Sequence, residues 1–355
     1  MKKISIRSLA AGELAAWLRE HEQPAFRAKQ IIDWLDSKFA MSFDEMKNIP
    51  KQLREQLDEE FAISSLSVVD QLRADDETVK WVSKLHDGSR IETVLIQAPS
   101  RSTVCISTQV GCAVRCAFCV SGHNGLVRNL SSDEIVDQVL LASHEVGKFV
   151  DNIVVMGSGE PMHNLDNLIP ALTRICDQEH GFGLGARHIT ISTSGIPNGI
   201  RRLASLQRPW NLAVSLHAPE DRIRAMIIPD RCRYPIDDIL DACEYYREST
   251  GRMITFEYVL VDGINSSESD ARKLGRLARL ARAKVNLIPL NNGAAEWRAP
   301  SHDDCRRFLE MLESCGVQAT IRLRKGEKIR AACGQLAAKR GINPEEEITD
   351  GDYIQ

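Results

Sequence analysis

Apolar residues recur every three to four positions through the first part of the chain, which is the period of helices with one buried face. The segments with this pattern contain almost no glycine; they are SLAAGELAAWLREH, AFRAKQIIDWLDSKF and SFDEMKNIPKQLREQLDEEF. We therefore predict a small helical accessory module over residues 1–62.

The pattern then changes to an alternation of apolar and polar residues in ETVKWVSKLHDGSRIETVLIQ. Alternation is typical of strands that bury one face, and Asp87-Gly88 lies between the two runs, where a tight turn is needed. This predicts a β-hairpin, and we assign residues 63–98 to a hairpin extension. The proline and serines of QAPSRS then mark the entry to the main domain.

Further along the chain, short β-branched runs alternate with longer helical patterns. The runs are VCIST, NIVVMG, HITIST, NLAVSLH, MITFEYVLV, KVNLIPL and QATIRL. Strands that alternate with helices predict parallel β/α units, and roughly six or seven such units fit a barrel or partial barrel better than a two-layer sandwich. The predicted fold class is therefore α/β, with a partial (β/α) barrel over residues 99–340 and an acidic tail over 341–355.

Two of the helical patterns are SSDEIVDQVLLASHEVG, where Ser131 and Glu134 have the spacing of a capping box, and PIDDILDACEYYREST. In a β/α barrel, chemistry gathers beyond the carboxyl ends of the strands. Five residues follow predicted strands and are expected to lie there: Cys112, Gly157, Ser192, His217 and Asn291.

Composition indicates an ordinary folded protein. The chain has 355 residues, of which 43% are hydrophobic and 26% charged, with a formal net charge of −4. These values argue against disorder, and no apolar run approaches the length of a membrane span. Acidic residues interrupt the apolar stretch near the start, so we expect no signal peptide. Ten cysteines without a secretion signal indicate a reducing compartment, where clustered thiols favour metal binding or catalysis.

The charge is unevenly distributed along the chain. Segment 271–284 carries six basic residues and no acid, and segment 321–340 carries seven basic residues against Glu327. Basic stripes on a near-neutral protein are one mark of nucleic-acid binding. A solvated helix face has the same pattern, so charge alone leaves both interpretations open.

The strongest chemical signal is GCAVRCAFC, which places Cys112, Cys116 and Cys119 within eight residues. A structural zinc site needs four ligands, and no second cysteine pair or close histidine pair lies nearby in the sequence. Iron–sulfur clusters are the other soft-thiolate site, and three cysteines leave the fourth iron open to a substrate or cofactor. We therefore predict a 4Fe-4S cluster rather than three unrelated buried thiols.

Cys-x-x-x-Cys-x-aromatic-Cys after the first strand of a β/α domain resembles the radical S-adenosylmethionine (SAM) superfamily. There SAM binds the open iron, and one electron cleaves it to a 5′-deoxyadenosyl radical. Further motifs, in order along the chain, make the sequence similar to the RlmN/Cfr family of radical RNA methyltransferases. They are CISTQVGCAVRCAFC, RNLSSDEIVDQV, VVMGSGEPMHNLDN, ISTSG, VSLHAP, RYPIDDIL, NLIPLN and ACGQL. The helical module resembles that family's accessory domain, to which we assign RNA binding.

This resemblance implies positions that bind SAM. Gly159 and Glu160 of the GSGEP loop would hold its amino end, and Asn291 would reach its ribose or carboxylate. Further residues would line the pocket: Ser192, Ser215, Leu216 and His217. Taken singly, GSGEP also fits a plain turn, and His217 also fits a structural histidine at a strand end.

The resemblance also implies how the methyl group is transferred. One SAM would methylate Cys333 of ACGQL, and a radical from a second SAM would take a hydrogen atom from that methyl group. The carbon radical would add to a ring carbon of adenine. Glu92 would then remove the proton from that carbon, and Cys105 would attack the Cys333 sulfur to form a transient disulfide. Without the resemblance, Glu92 fits a solvent-facing strand carboxylate.

The implied substrate is an adenosine in large-subunit (23S) ribosomal RNA, with transfer RNA as a second substrate, methylated at carbon 2 or carbon 8. We expect a cytoplasmic monomer with no membrane partner, which receives its electron from a donor such as flavodoxin or ferredoxin. The chain departs from the family pattern at Ser158 of GSGEP and in the basic residues of RKGEKIR before Cys333.

Two other functions share some of these motifs. A radical SAM enzyme with a different substrate would not need Cys105, Cys333 and Glu92 together. A noncatalytic iron–sulfur or zinc protein that binds RNA leaves GSGEP and ACGQL unexplained and predicts no SAM turnover.

Overall fold

The computed structural model describes residues 3–9, 11–123, 125–179, 181–229, 232–291, 297–322, 329, 331, 335 and 336. Three predicted features fall outside these ranges: Cys333, most of the basic segment 321–340 and the acidic tail 341–355.

Helices dominate the first sixty residues, as the apolar period predicts. They are α1 (Ala11–Glu20), α2 (Phe26–Ile32) and α3 (Lys51–Glu60). A π-helical turn extends α2 over Asp33–Ser37. The third predicted segment is divided, because Pro50 directly precedes α3 and favours a helix start there. A short parallel pair, β1 (Ile4–Ser5) with β2 (Phe61–Ala62), joins the two ends of this unit.

The remaining strands form one ten-stranded sheet and one separate pair. In chain order they are β3 (Ser67–Arg73), β4 (Val79–Lys84), β5 (Arg90–Ala98), β6 (Arg101–Cys105), β7 (Gln109–Gly111), β8 (Leu126–Asn129), β9 (Asn152–Val155), β10 (Ile189–Thr193), β11 (Asn211–Ser215), β12 (Ile254–Leu260), β13 (Lys284–Pro289) and β14 (Ala319–Ile321). The large sheet has the order β14-β13-β12-β11-β10-β9-β6-β5-β4-β3, and β7 pairs with β8.

Each of the seven β-branched runs picked out from the sequence forms a strand, and these strands pair in parallel. The predicted hairpin also forms, with Gly88 at φ 82° in its turn. It is continuous with the parallel strands, because β5 pairs with β6. Among the strands described, β3 and β14 are the two edges of the sheet and do not pair with each other.

Helices cover the parallel strands. They are α4 (Ser132–Val146), α5 (Leu165–Cys176), α6 (Pro197–Ser205), α7 (Asp221–Ile227), α8 (Ile236–Thr250), α9 (Glu268–Leu280) and α10 (His302–Ser314). The predicted capping box is confirmed, because Glu134 N donates to Ser131 Oγ at 3.2 Å and Ser131 N donates to Glu134 Oε2 at 2.9 Å. Within the part of the chain described, every helix is too short or too polar to cross a membrane. The α/β class is confirmed.

A buried arginine holds the helical module together. Arg7 donates to the backbone carbonyls of Leu35, Ala40 and Ile63. Burial lowers the pKa of this guanidinium, and nearby carboxylates such as Asp137 oppose that effect. One side chain therefore satisfies three backbone acceptors that are all far from Arg7 in the sequence.

We expect Arg7→Met to lower the free energy of unfolding by about 3–5 kcal/mol, since it leaves buried carbonyls without donors. Arg19→Met is the matched control, because Arg19 is exposed on α1, and we expect a change of about 0.5 kcal/mol or less. Urea unfolding followed by circular dichroism measures both. Equal stabilities of the two variants would contradict this role for Arg7.

Candidate active site

A cavity of about 150 Å³, partly open to solvent, lies at the carboxyl ends of the parallel strands. The five residues expected beyond strand ends all line it: Cys112, Gly157, Ser192, His217 and Asn291. The prediction that these five residues meet beyond the strand ends is therefore confirmed.

The loop after β7 carries all three motif cysteines to the wall of this cavity. Gly111 begins the loop with φ 75°, and a Cβ there would lie 1.9 Å from the carbonyl oxygen of Gly125, so only glycine fits. At the other side, Ala117 N donates to Ile227 O at 2.9 Å. The loop is thus fixed at its start and against α7.

Burial makes these thiols poor acids in the absence of a metal. It raises the pKa of Cys112 to about 12, with the neighbouring Cys119 and Glu160 acting in the same direction. It also raises the pKa of Cys116 well above its ordinary value. Metal binding must therefore displace protons, and bound cations would supply the charge that stabilises three adjacent thiolates.

This donor set fits an iron–sulfur cluster better than a single ion. In the described ranges, no three His, Cys, Asp or Glu side chains are arranged to hold one metal ion. The ligands of a four-iron cluster each bind a different iron, so they lie farther apart than ligands that share one ion. Three soft thiolates around one cavity meet that requirement.

The GSGEP loop forms the adjacent wall. The carboxylate of Glu160 is buried and accepts from Met162 N at 3.0 Å and from Ser194 N at 2.7 Å, one bond to each oxygen. Each oxygen keeps further acceptor capacity toward the cavity, where an ammonium group would be favoured. Gly159 has φ 112°, and a Cβ there would lie 2.7 Å from Thr108 Oγ1, so a side chain at this position would be strained.

The departure from the family pattern at Ser158 has a local explanation. Its side chain is buried, and Oγ donates to Gly111 O at 3.3 Å. Its backbone N donates to Ser107 Oγ at 3.0 Å. The hydroxyl therefore ties the GSGEP loop to the residue that precedes Cys112.

Six of the seven predicted SAM-binding residues line the cavity: Gly159, Glu160, Ser192, Ser215, His217 and Asn291. Leu216 does not line it. Its side chain is 0% exposed and packs in the main core, whereas Ser215 at the end of β11 and His217 both line the cavity. Their roles toward SAM stay predictions.

His217 is a neutral, oriented histidine. Val259 N donates to Nδ1 at 3.1 Å, so the ring proton is on Nε2. Phe118 of the cysteine loop packs edge-on against the ring at 5.0 Å between centroids. Burial, with a smaller contribution from Arg224, lowers the pKa of His217 to about 3. Its backbone φ of 59° is a strained conformation of the kind found at functional sites.

His217 should make stability depend on pH. Its folded pKa lies below the unfolded value of about 6.5, so only the unfolded state binds this proton between the two values, and stability falls as pH decreases from about 6.5 toward 3. From pH 7 to pH 5 we expect wild type to lose about 2 kcal/mol more than His217→Gln. Urea unfolding at both pH values tests this, with the exposed His188→Gln as control. An equal loss in wild type and His217→Gln would contradict it.

Glu257 is a cavity residue that sequence reasoning missed. It lies inside β12 and accepts from Asn286 Nδ2 at 3.0 Å, with Arg322 Nη1 at 3.8 Å. Burial raises its pKa, opposed by Arg322. The available signal was a single carboxylate inside the apolar run MITFEYVLV.

Glu92 and Cys105 lie on one face of the sheet. Val94 pairs with Cys105, and Glu92 lies two residues before Val94 on β5, hence on the same face. Glu92 is 8% exposed, so the alternative of a solvent-facing carboxylate is wrong. Its Oε1 lies 3.0 Å from Nζ of the buried Lys80.

Cys105 belongs to a small apolar cluster that reaches the C-terminal segment. Val94 and Leu336 are buried with it, and Met156 and Ala331 pack against them. Met156 also lines the cavity. Cys333 is outside the described residues, but residues on both sides of it in the chain contact the cluster that contains Cys105.

Two known family models match the chain. The Ribosomal RNA large subunit methyltransferase N-terminal domain matches residues 4–63. The Radical SAM superfamily matches residues 106–274. The second match begins directly after β6 and contains the cysteine loop and the GSGEP loop.

Individual proteins are similar over nearly the whole chain. A probable dual-specificity RNA methyltransferase RlmN from Alkaliphilus oremlandii is 44% identical over 341 residues, which is 96% of this chain and 99% of the relative. A probable dual-specificity RNA methyltransferase RlmN 3 from Opitutus terrae is 46% identical and covers 92% of each chain. The crystal structure of a radical SAM methyltransferase from Sphaerobacter thermophilus is 43% identical, with a TM-score of 0.85, over 94% of this chain and 99% of that one.

Proposed function

We propose that this chain, which belongs to the RlmN family of radical SAM RNA methyltransferases, methylates a ring carbon of an adenosine in 23S ribosomal RNA. Transfer RNA is the proposed second substrate, and carbon 2 and carbon 8 are the two proposed positions. The observation that carries the proposal is that three cysteines line one cavity with Met156, while Met156 also packs against the buried thiol of Cys105, on the sheet face that carries the buried carboxylate of Glu92. The dual specificity in the relatives' names supports two RNA substrates.

The family implies a 4Fe-4S cluster and SAM. Cys112, Cys116 and Cys119 would hold the cluster, and Glu160 would hold the amino group of SAM. When bound, the cluster supplies one electron to SAM, and the resulting cleavage supplies a 5′-deoxyadenosyl radical. The apolar wall beside Phe118 and His217 would keep water from the reacting atoms.

In the proposed sequence, the Cys333 thiolate first attacks the methyl carbon of one SAM, which forms a carbon–sulfur bond and releases S-adenosylhomocysteine. The radical from a second SAM removes one hydrogen atom from this methyl group. The carbon radical then adds to the adenine ring, which leaves RNA and Cys333 joined through the new carbon.

Release of the RNA needs a base and a second thiol. Glu92 is the proposed base, and the ammonium of Lys80 at 3.0 Å favours its ionised form. Removal of the ring proton by Glu92, together with return of one electron from the adduct radical to the iron–sulfur cluster, would restore the aromatic ring. Cys105 then attacks the Cys333 sulfur, the carbon–sulfur bond breaks, and a proton completes the methyl group. Cellular thiols would reduce the resulting disulfide, which suits the reducing cytoplasm.

Contacts around Cys105 support its pairing with Cys333. Leu336 packs in the same cluster, and Ser121 Oγ, in the turn directly after the cysteine loop, donates to Leu336 O. Gln335 lines the cavity. These contacts bring the chain on one side of Cys333 to both Cys105 and the cavity.

RNA would bind across basic surfaces and the helical module. Segment 271–284 forms most of α9, and four of its arginines are exposed: Arg272, Arg276, Arg279 and Arg282. Arg272 pairs with Glu268 on the same helix, as expected for a solvated face. We retain phosphate binding as a proposal for this face. We further propose a monomer that takes its electron from flavodoxin or ferredoxin.

The test is anaerobic purification from expressing cells, followed by mass spectrometry of peptides and of nucleosides from the same cells' RNA. We expect a methyl group on the Cys333 peptide and 2- or 8-methyladenosine that disappears when the gene is deleted. A full cluster with unmodified Cys333 and unchanged RNA would favour a radical SAM enzyme with another substrate. Absence of SAM turnover would favour a noncatalytic protein.

A further inference from the structure

Arg224 is a fully buried arginine on α7 that the motifs do not include. Its side chain is 0% exposed. Nη1 donates to Tyr234 O at 3.1 Å, and Nη2 donates to Ser194 O. Within the portion of the chain that is described, Nε has no hydrogen-bond partner. Burying a charge is costly unless it is fully paired, so these two bonds do not account for a charge here.

The cysteine loop rests directly on the helix that carries Arg224. Ala117 N donates to Ile227 O at 2.9 Å. Cys116 packs against an apolar cluster that includes Ile223 and Ile227, the α7 neighbours of Arg224. Arg224 therefore belongs to the helix on which the cysteine loop packs.

Arg224 and Cys116 affect each other's pKa. Burial raises the pKa of the Cys116 thiol, and Arg224 opposes this rise. Burial lowers the pKa of Arg224 to about 10, with Cys116 and Asp221 opposing and Arg233 assisting. Arg224 therefore stays cationic at neutral pH.

The same side chain supports the neighbouring wall of the cavity. Ser194, whose carbonyl accepts from Arg224, donates its backbone N–H to Glu160 Oε2 at 2.7 Å. A Cβ on Gly195 would lie 3.3 Å from Arg224 Nη2, so the turn passes close over the guanidinium. Arg224 thus connects the cysteine loop to the turn that holds Glu160.

We propose that Arg224 is a positioning residue whose fixed charge raises the reduction potential of the iron–sulfur cluster. This rests on the proposed function in that Cys112, Cys116 and Cys119 hold the cluster. Reduction transfers one electron from the donor to the cluster without forming or breaking a bond. The added negative charge is stabilised by a buried cation more strongly than it would be in water.

The experiment compares wild type, Arg224→Met, Arg224→Lys and Arg222→Met after anaerobic assembly of the cluster. Arg222 is the matched control, because it is an exposed arginine on the same helix. Iron and sulfide content gives the loading, and redox titration followed by electron paramagnetic resonance gives the midpoint potential. We expect Arg224→Met to have a more negative potential, and Arg224→Lys and Arg222→Met to stay near wild type.

A fully loaded Arg224→Met protein with the wild-type potential would overturn the inference. Loss of the cluster from both Arg224 variants would also overturn it, since that is the behaviour of a purely structural guanidinium. If Arg224→Met alone fails to load, a wild-type potential in Arg224→Lys supports the role of charge. Failure of the wild-type protein to hold a cluster would instead contradict the proposed function.

Discussion

Replacing Cys116 by alanine is expected to abolish RNA methylation while leaving the fold intact. The expected fall in activity is at least about 100-fold, because even changes around metal ligands cost about 10–100-fold. The thiol packs in an apolar cluster with Ile223 and Ile227, so its removal should cost only about 1 kcal/mol of stability. Iron content, absorbance of the reconstituted protein and methyladenosine yield measure the effect.

Cys176→Ala is the matched control for this substitution. Cys176 is also partly buried but packs against the main core, and we expect full cluster content and activity. A Cys116→Ala protein that still binds a complete cluster would show that these thiols are not the ligands. If Cys176→Ala also lost its cluster and activity, the result would indicate a general requirement for buried cysteines.

Cys105→Ala is expected to trap RNA on the protein. Without the second thiol, the bond between the new carbon and the Cys333 sulfur is not broken, so turnover should stop after one addition. Expressed protein should carry covalently bound RNA, seen as a band on a denaturing gel that ribonuclease shifts. Multiple-turnover methylation should fall below detection.

Two further variants make this result specific. Cys105→Ala combined with Cys333→Ala should carry no RNA, because the attachment point is gone. Cys243→Ala changes another buried cysteine, on α8 in the main core, and should release its product normally. Absence of bound RNA from Cys105→Ala protein whose Cys333 is methylated would show that Cys105 is not the resolving thiol.

The sequence pattern predicts the parallel part of the fold well, because each buried strand is a short β-branched run. It misses β3, whose seven residues are all exposed and so have no apolar face to mark them. The proline and serines of QAPSRS suggest a boundary between the hairpin and the main domain, yet β5 of the hairpin pairs with β6. These two strands form an antiparallel hairpin around Pro99-Ser100, so the residues that mark a boundary in the sequence form a tight turn in the structure.

Site prediction follows the same logic. Residues beyond strand ends meet because parallel strands end at one edge, so His217 and Asn291 line the same cavity as the cysteine loop. Leu216 lies between two cavity residues in VSLHAP, but its side chain packs in the main core, which the motif alone does not show. The partners of Glu92 and Arg224 come from other elements, Lys80 on β4 and Ser194 after β10. No pattern within one segment encodes such partners.

In the proposed mechanism, the methyl group reaches the RNA through a carbon radical on Cys333. Protein freed of its methyl group would be given SAM with three deuterium atoms in the methyl, together with substrate RNA and reductant. Hydrogen abstraction removes one deuterium, and a solvent proton completes the product, so mass spectrometry should find methyladenosine with two deuterium atoms. Methyladenosine that keeps all three deuterium atoms would mean that the intact methyl group is transferred directly, which would contradict this mechanism.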